Sequence, residues 1–370
     1  MKSLTALNEM KKRLLIRIRS VAWSGTNAKS CILQLPLVFT ILMGFPLLAS
    51  AHVKWFVKES EHLVRASQFT FAEPLVQTWV GIILVCVAMA LLMERYLPDP
   101  PEKLVTFAQD HTQQAFRLLK VLIGLALLMT AVKGAIVAPH LSDKSLYLMI
   151  LRFIQGGIGV LFIANVAVRF GAVMMVFVYL ASTWLFGFVT SLEYFNFLGT
   201  ALFILLESSP DERKRVYALP VLRIHTGIAL GALAWTEKLI DPSLAIRFLE
   251  MNQVNFMQAL GVHLFTDRVF VLCAGCTELI FALIFVLGLI TRINTLALAG
   301  FLVSSNLYFF FMGKTDEAFL ELSGHLPLFA VAIIFILYGG GSRMCLYNIF
   351  FRKTEQNSDL LVPQRCENNM

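Results

Sequence analysis

The chain has 370 residues, of which 58% are hydrophobic and 15% charged, with 31 Phe and a mean hydropathy of +0.73. Soluble domains carry about 25% charged residues, so a water-soluble fold is excluded for want of polar surface, and lipid is the solvent this composition demands. The formal charge of +7 does not indicate a nucleic-acid partner, because the Lys and Arg sit in short clusters between apolar runs and build no continuous basic face.

The first 29 residues are rich in Lys and Arg, residues 31–48 are almost uninterrupted apolar, and Ala49-Ser50-Ala51 follows. That is the layout of a signal peptide with a small-x-small cleavage site after Ala51, and Met10 offers a second start. The alternative is an uncleaved first span, for which about 18 apolar residues are just long enough. Residues 1–51 are therefore read as the signal, and 52–110 as an extracytoplasmic segment plus a lone transmembrane helix.

Apolar runs of spanning length follow near residues 75–93, 118–137, 147–168, 171–190, 194–206, 217–237, 269–290, 295–312 and 326–341, the fifth and last of them short. The fold expected is all-α: a polytopic transmembrane helical bundle of about nine spans after cleavage. Basic residues concentrate in the loops 94–120 and 207–223, with Arg169 and Arg292 in two tight turns. The positive-inside rule puts these on the cytoplasmic face of an inner membrane, with the mature N-terminus outside and residues 346–370 a cytoplasmic tail. The loop 239–268 reads as an interfacial amphipathic helix.

Lys120-x3-Gly124-x-Ala126-Leu127-x3-Ala131 followed by Pro139-x-Leu141 matches Arg223-x3-Gly227-x-Ala229-Leu230-x3-Ala234 followed by Pro242-x-Leu244, every partner 103 residues on. Arg169 answers Arg292, and Leu192-Glu193-Tyr194 loosely answers Leu320-Glu321-Leu322. Two four-helix units of the same topology are expected, over 111–210 and 211–345, as a parallel duplication.

Arg223, the Trp235-x-Glu237-Lys238 exit, mid-helix Glu278, the Gly288-Leu289-x-x-Arg292 turn and Gly324-His325-Leu326-Pro327 resemble the DoxX family. The resemblance is good over 217–341 and weak in the first unit, where Gly134-Ala135 replaces the Glu-Lys exit and Phe197 replaces the histidine. It implies a four-helix membrane bundle and a link to quinone-coupled or thiol-based redox chemistry; it implies no catalytic residues.

Several constellations carry chemistry. Glu278 lies near mid-depth in its span, where a carboxylate needs a partner or a proton, and it is the candidate proton acceptor. Arg223 and Glu237 fall within about 40° on one helix face at opposite ends, so a polar stripe along one wall is expected, with interfacial snorkelling as the alternative. Cys273-x-x-Cys276 puts two thiols on one helix face for redox exchange, or serves only as small packing residues. Cleavage after Ala51 would leave His52 with an α-amine and an imidazole able to chelate a copper-type cation, with His62, Glu321 and His325 at the same membrane face. Six cysteines imply no disulfide framework, and no phosphate loop, nucleophile elbow or His-Glu-x-x-His is present.

Three functions follow. The first is a membrane component of a quinone- or thiol-linked redox system with a partner subunit. The second is a metal or small-solute handling protein using His52. The third is a non-catalytic membrane scaffold whose buried polar groups only fix helix register.

Overall fold

Each of the nine apolar runs forms a helix in the computed structural model, which describes residues 53–57, 66–97, 99–142 and 145–351. The expected signal, His52, His62 and the tail beyond 351 lie outside the described residues. Eight of the described helices are long and apolar enough to cross a membrane, and a ninth, shorter apolar helix spans Phe195–Glu207. The protein is an all-α, multi-pass membrane bundle. Its large apolar side chains explain this: Leu84, Phe153, Trp184 and Phe311 are more than half exposed on helix surfaces, where only lipid solvates them cheaply.

The lone helix α1 (Pro74–Tyr96) starts with proline at its first position, where the missing N–H costs nothing. The short α2 (Glu102–Asp110) leads to the first quartet: α3 (Thr112–Val132), α4 (Leu146–Ala164), α5 (Val168–Phe186) and a broken fourth member, α6 (Phe188–Leu192) then α7 (Phe195–Glu207). At 13 residues α7 rises about 20 Å, which alone is short of a hydrocarbon core of about 30 Å. The single turn α8 (Glu212–Arg215) precedes the second quartet. This comprises α9 (Ala218–Ala234), which ends in a π turn (Trp235–Leu239), then α12 (Asp267–Leu287), α13 (Thr291–Phe311) and α14 (Thr315–Tyr338). Between α9 and α12 lie α10 (Ser243–Asn252) and α11 (Phe256–Ala259), and α15 (Leu346–Phe351) follows α14. The loop expected as one amphipathic helix is thus two, with Phe248 and Leu249 of α10 buried against the bundle.

The last span differs most from expectation. It begins at Thr315, about three turns before the apolar run, and carries Glu321, His325 and Pro327 inside it. Those polar side chains face protein and not lipid, which hides the first half of the helix from a hydropathy profile.

One turn geometry recurs in the backbone. Asn165 and Ala167 (φ 57° and 46°) bracket the α4–α5 turn, and Gly288 and Ile290 (φ 74° and 34°) bracket the α12–α13 turn. Two left-handed residues separated by one, with an arginine two positions on, recur 123 residues apart. Glycine suits the second copy because Arg223 lies against Gly288, and a Cβ there would overlap its guanidinium.

Packing runs in order around the molecule: α3 on α4, α4 on α5, α5 on α7, α7 on α9, α9 on α12, α12 on α13, α13 on α14, and α14 back on α3. Within the first quartet the first and last helices touch where the Phe116 ring meets Phe203 edge-on at 5.5 Å. The first and last helices of each quartet also pack on the last and first of the other, so α3, α7, α9 and α14 meet at a central seam. The outer sides of α12 are covered by α1 and α10, which makes it the most buried span.

Candidate functional site

Residues 53–57 lie in the mouth of the seam, and the bundle end they occupy is called the Trp55 end below. Val53 and Val57 are buried. The Phe56 ring stacks on Phe309 at 5.4 Å and tilts against Phe248 at 5.3 Å. Trp55 fits over Gly324, where any Cβ would overlap the indole, and its Nε1 donates to the Tyr194 hydroxyl at 3.2 Å. Polar bonds go to both quartets: the Val53 N–H donates to Glu237 Oε2 at 2.8 Å, and Lys54 Nζ donates to Glu193 Oε1 at 2.5 Å.

The π turn at the end of α9 explains how two consecutive charged residues both point inward. A turn wider than an α-turn shifts the register at its end, and Glu237 and Lys238 are 0% and 2% exposed. Lys238 Nζ donates to Glu278 Oε2 at 2.9 Å across the α9–α12 contact. Thr236 Oγ1 donates to Glu193 Oε1 at 2.6 Å, tying the second quartet to the first. On α14, Glu321 Oε1 and His325 Nε2 are 3.7 Å apart, one turn from each other and both fully buried. Asn306 Nδ2 donates to His325 Nδ1 at 2.8 Å and to the Leu302 carbonyl at 2.7 Å. An amide held that way gives the imidazole its proton on Nε2.

The cluster concentrates buried carboxylates: Glu193, Glu237, Glu278 and Glu321 are each at most 3% exposed, Lys54 pairs with Glu193, Lys238 with Glu278, and His325 stands beside Glu321. His140, in the loop after α3, borders the cluster through the Tyr194 hydroxyl at 3.4 Å. Burial, with Lys54 nearby, pushes its imidazole down to about 4, so it is neutral at physiological pH. Beneath Trp55 the seam encloses a cavity of about 20 Å³, lined by Thr130, Glu193, Tyr194 and Ser323 among apolar neighbours.

Arg223 and Arg292 lie at the opposite end. Arg223 Nη2 donates to the Met344 carbonyl at 2.8 Å, and Arg292 donates to the carbonyls of Ile336 and Leu337, each at 3.1 Å. They tie down the end of α14 and the turn after it, beside a cleft of about 660 Å³ that contains Glu94 and Arg215. The expected polar stripe from Arg223 to Glu237 is not continuous. Between them the same face of α9 carries Leu230 and Ala234, both buried, so the ends form two separate sites.

Cys273 and Cys276 are buried on α12, which packs on α1. They are not bonded to each other. Among the predicted residues the structure brings together Glu237, Lys238, Glu278, Glu321 and His325 at one end. Among the described residues no group of three or more His, Cys, Asp or Glu is arranged to hold a metal.

Sequence reasoning overlooked Lys54, Glu193 and Gln155. Glu193 carried a signal, since the repeat aligns it with Glu321. Gln155 carried another, because it lies 123 residues before Glu278, the interval that separates the two tight turns. Fully buried, it binds Val137 N through Oε1 at 2.8 Å and the Leu127 carbonyl and Thr130 through Nε2. The first quartet thus fills with a neutral amide the position where the second has an ion pair. The chain matches no family model, no curated protein and no solved structure.

Proposed function

We propose that this protein captures a cation at the Trp55 end, with Glu321 and His325 as ligands and His52, freed by cleavage after Ala51, as the third. The observation that supports it is the pairing of Glu321 with His325 in a buried cluster of carboxylates, one of which, Glu237, accepts from the N–H of Val53, the residue His52 is joined to. Carboxylate plus imidazole suits zinc or copper(II), and the α-amine and imidazole of an N-terminal histidine add two nitrogens.

The second sphere specifies how entry proceeds. A metal needs the lone pair of Nε2, so the imidazole proton must move to Nδ1, where Asn306 now presents an N–H. Turning that amide offers Nδ1–H the Asn306 Oδ1, which is buried and accepts no hydrogen bond among the described residues. In this reading the Trp55 end faces the outside of the inner membrane, and the second quartet is DoxX-like by its motifs. A quinone- or thiol-linked role rests on that resemblance and not on this cluster, whereas in a scaffold the same buried polar groups would only fix helix register.

Intact-mass and elemental analysis of the detergent-purified protein test the proposal. A mature chain starting at His52 and one bound copper or zinc are expected, with affinity falling at least tenfold, about 1.4 kcal/mol, in His325→Ala. A retained leader, or metal-free protein after loading with either ion, refutes it.

A further inference from the structure

A second site lies at the Arg223 end, in the cleft of about 660 Å³. Pockets of about 300–1,000 Å³ hold small ligands. Segments distant in the chain close this one: the end of α1 and the residues after it, with Glu94 and Asp99; the end of α7, with Glu207; the α12–α13 turn; and the glycines 339–341 after α14. Part of the wall is aromatic, where the Phe116 ring meets Phe203 at 5.5 Å and Tyr338 at 5.6 Å.

Three guanidiniums hold unused N–H groups at this cleft. Arg223 is fully buried and gives Nη2 to the Met344 carbonyl, while its Nε and Nη1 make no hydrogen bond among the described residues. A guanidinium cannot shed its proton, so donors buried without acceptors are costly. Nη1 lies against Gly288, and a Cβ on Gly340 would come within 2.8 Å of Cδ. The unused edge of Arg223 therefore stands behind two glycines that line the cleft. Arg292 gives Nε and Nη2 to carbonyls, which leaves Nη1, 3.2 Å from where a Gly339 Cβ would be. Arg215 pairs with Glu212 through Nη2 at 3.2 Å, and its buried Nε is unbonded among the described residues.

Acids share the lining. Glu94 Oε2 accepts the Ile290 N–H at 2.6 Å, and Asp99 and Glu207 complete the set, with Arg95 turned over the Tyr96 ring. A simple anion would meet these carboxylates as well as the guanidiniums, so a ligand that carries both signs matches the cleft better. A tetrahedral oxyanion offers several oxygens to forked N–H donors, and an ammonium a few bonds away suits a carboxylate. We propose that the cleft binds a phosphate ester bearing an amine, the chemistry of an aminophospholipid headgroup or a soluble aminoalkyl phosphate. The phosphate lies against Arg292 and the glycine turn, with the charge of Arg223 behind it, and the amine lies at Glu207. This site is at the other end of the bundle from the cation site and does not rest on it.

Two measurements on the full-length protein test it. Native mass spectrometry from nanodiscs of mixed phosphatidylethanolamine and phosphatidylcholine asks whether the first lipid is retained over the second. Calorimetric titration of delipidated protein compares phosphoethanolamine, inorganic phosphate and ethanolamine. Phosphoethanolamine should bind about tenfold more tightly than either fragment. Selective lipid retention as well identifies the headgroup as the source, and titration without retention identifies a soluble ester. Arg292→Gln should weaken phosphoethanolamine and phosphate alike by about tenfold, whereas Glu207→Gln should leave phosphate unchanged and erase the preference for the amine. No binding of phosphoethanolamine, wild-type affinity in R292Q, or a preference kept in E207Q overturns the proposal. If R292Q fails to fold, as judged by circular dichroism and gel filtration, the E207Q titration decides.

Discussion

Replacing Lys238 by Met should be among the most damaging single changes in the molecule, and a second change should relieve it. The ammonium lies 2.9 Å from Glu278, with the two side chains 2% and 3% exposed. Removing one partner of a buried pair costs about 3–5 kcal/mol because the remaining charge is stranded. The first quartet shows the remedy, since Gln155 occupies the position equivalent to Glu278 without any ion pair. Lys238→Met should therefore lose about 3–5 kcal/mol, and K238M combined with Glu278→Gln should recover at least half of it. Recovery need not be complete, because Lys238 also lies beside Glu237. The assay is reversible denaturation in detergent followed by circular dichroism, run as a double-mutant cycle. A K238M protein as stable as wild type, or a double variant no better than K238M, refutes the stranded-charge argument.

Further outcomes follow from other contacts. Gly324→Ala places a methyl into the Trp55 indole; overpacking of this kind costs about 1–3 kcal/mol, and tryptophan fluorescence should report displacement of the 53–57 segment. The Cys273→Ala, Cys276→Ala double variant should bind metal as the wild type does, because both buried sulfurs lie on a different face of α12 from Glu278; loss of metal would place them in the site. At the Trp55 end of α1, two hydrogen bonds from Arg268 hold the Glu73 carboxyl down at about 2, below its ordinary 4.5. A depressed acid contributes stability above its unfolded value and loses it as pH falls through the folded one. Protection against hydrogen exchange in 66–73, taken relative to the intrinsic rate at each pH, should therefore fall between about pH 4.5 and 2, and the Arg268→Gln variant should lack that pH dependence.

The spans were legible because lipid-facing residues must be apolar, and α1 declares itself for that reason. Polarity turned inward was less legible. The first three turns of α14 read as a loop, since Asp316, Glu317, Glu321 and His325 depress the hydropathy while the buried pair faces other helices. Glu278 and His325 were found because charge inside an apolar run is conspicuous; Glu193 was passed over because it stands between two short helices and looks like a loop acid. Lys54 could not be placed from sequence, as nothing local signals that a five-residue segment inserts between helices so distant in the chain. The Arg223 and Glu237 pairing was misleading because helical phase predicts a shared face but not what fills the turns between.

The first and last helices of each quartet bury much of their surface against those of the other, so the boundary between the two quartets is the middle of the hydrophobic core. Severing the chain between α7 and α9 would leave two fragments with adhesive edges and no finished interior. Reassembly of co-expressed halves, and aggregation of either half alone, is the behaviour that this architecture demands.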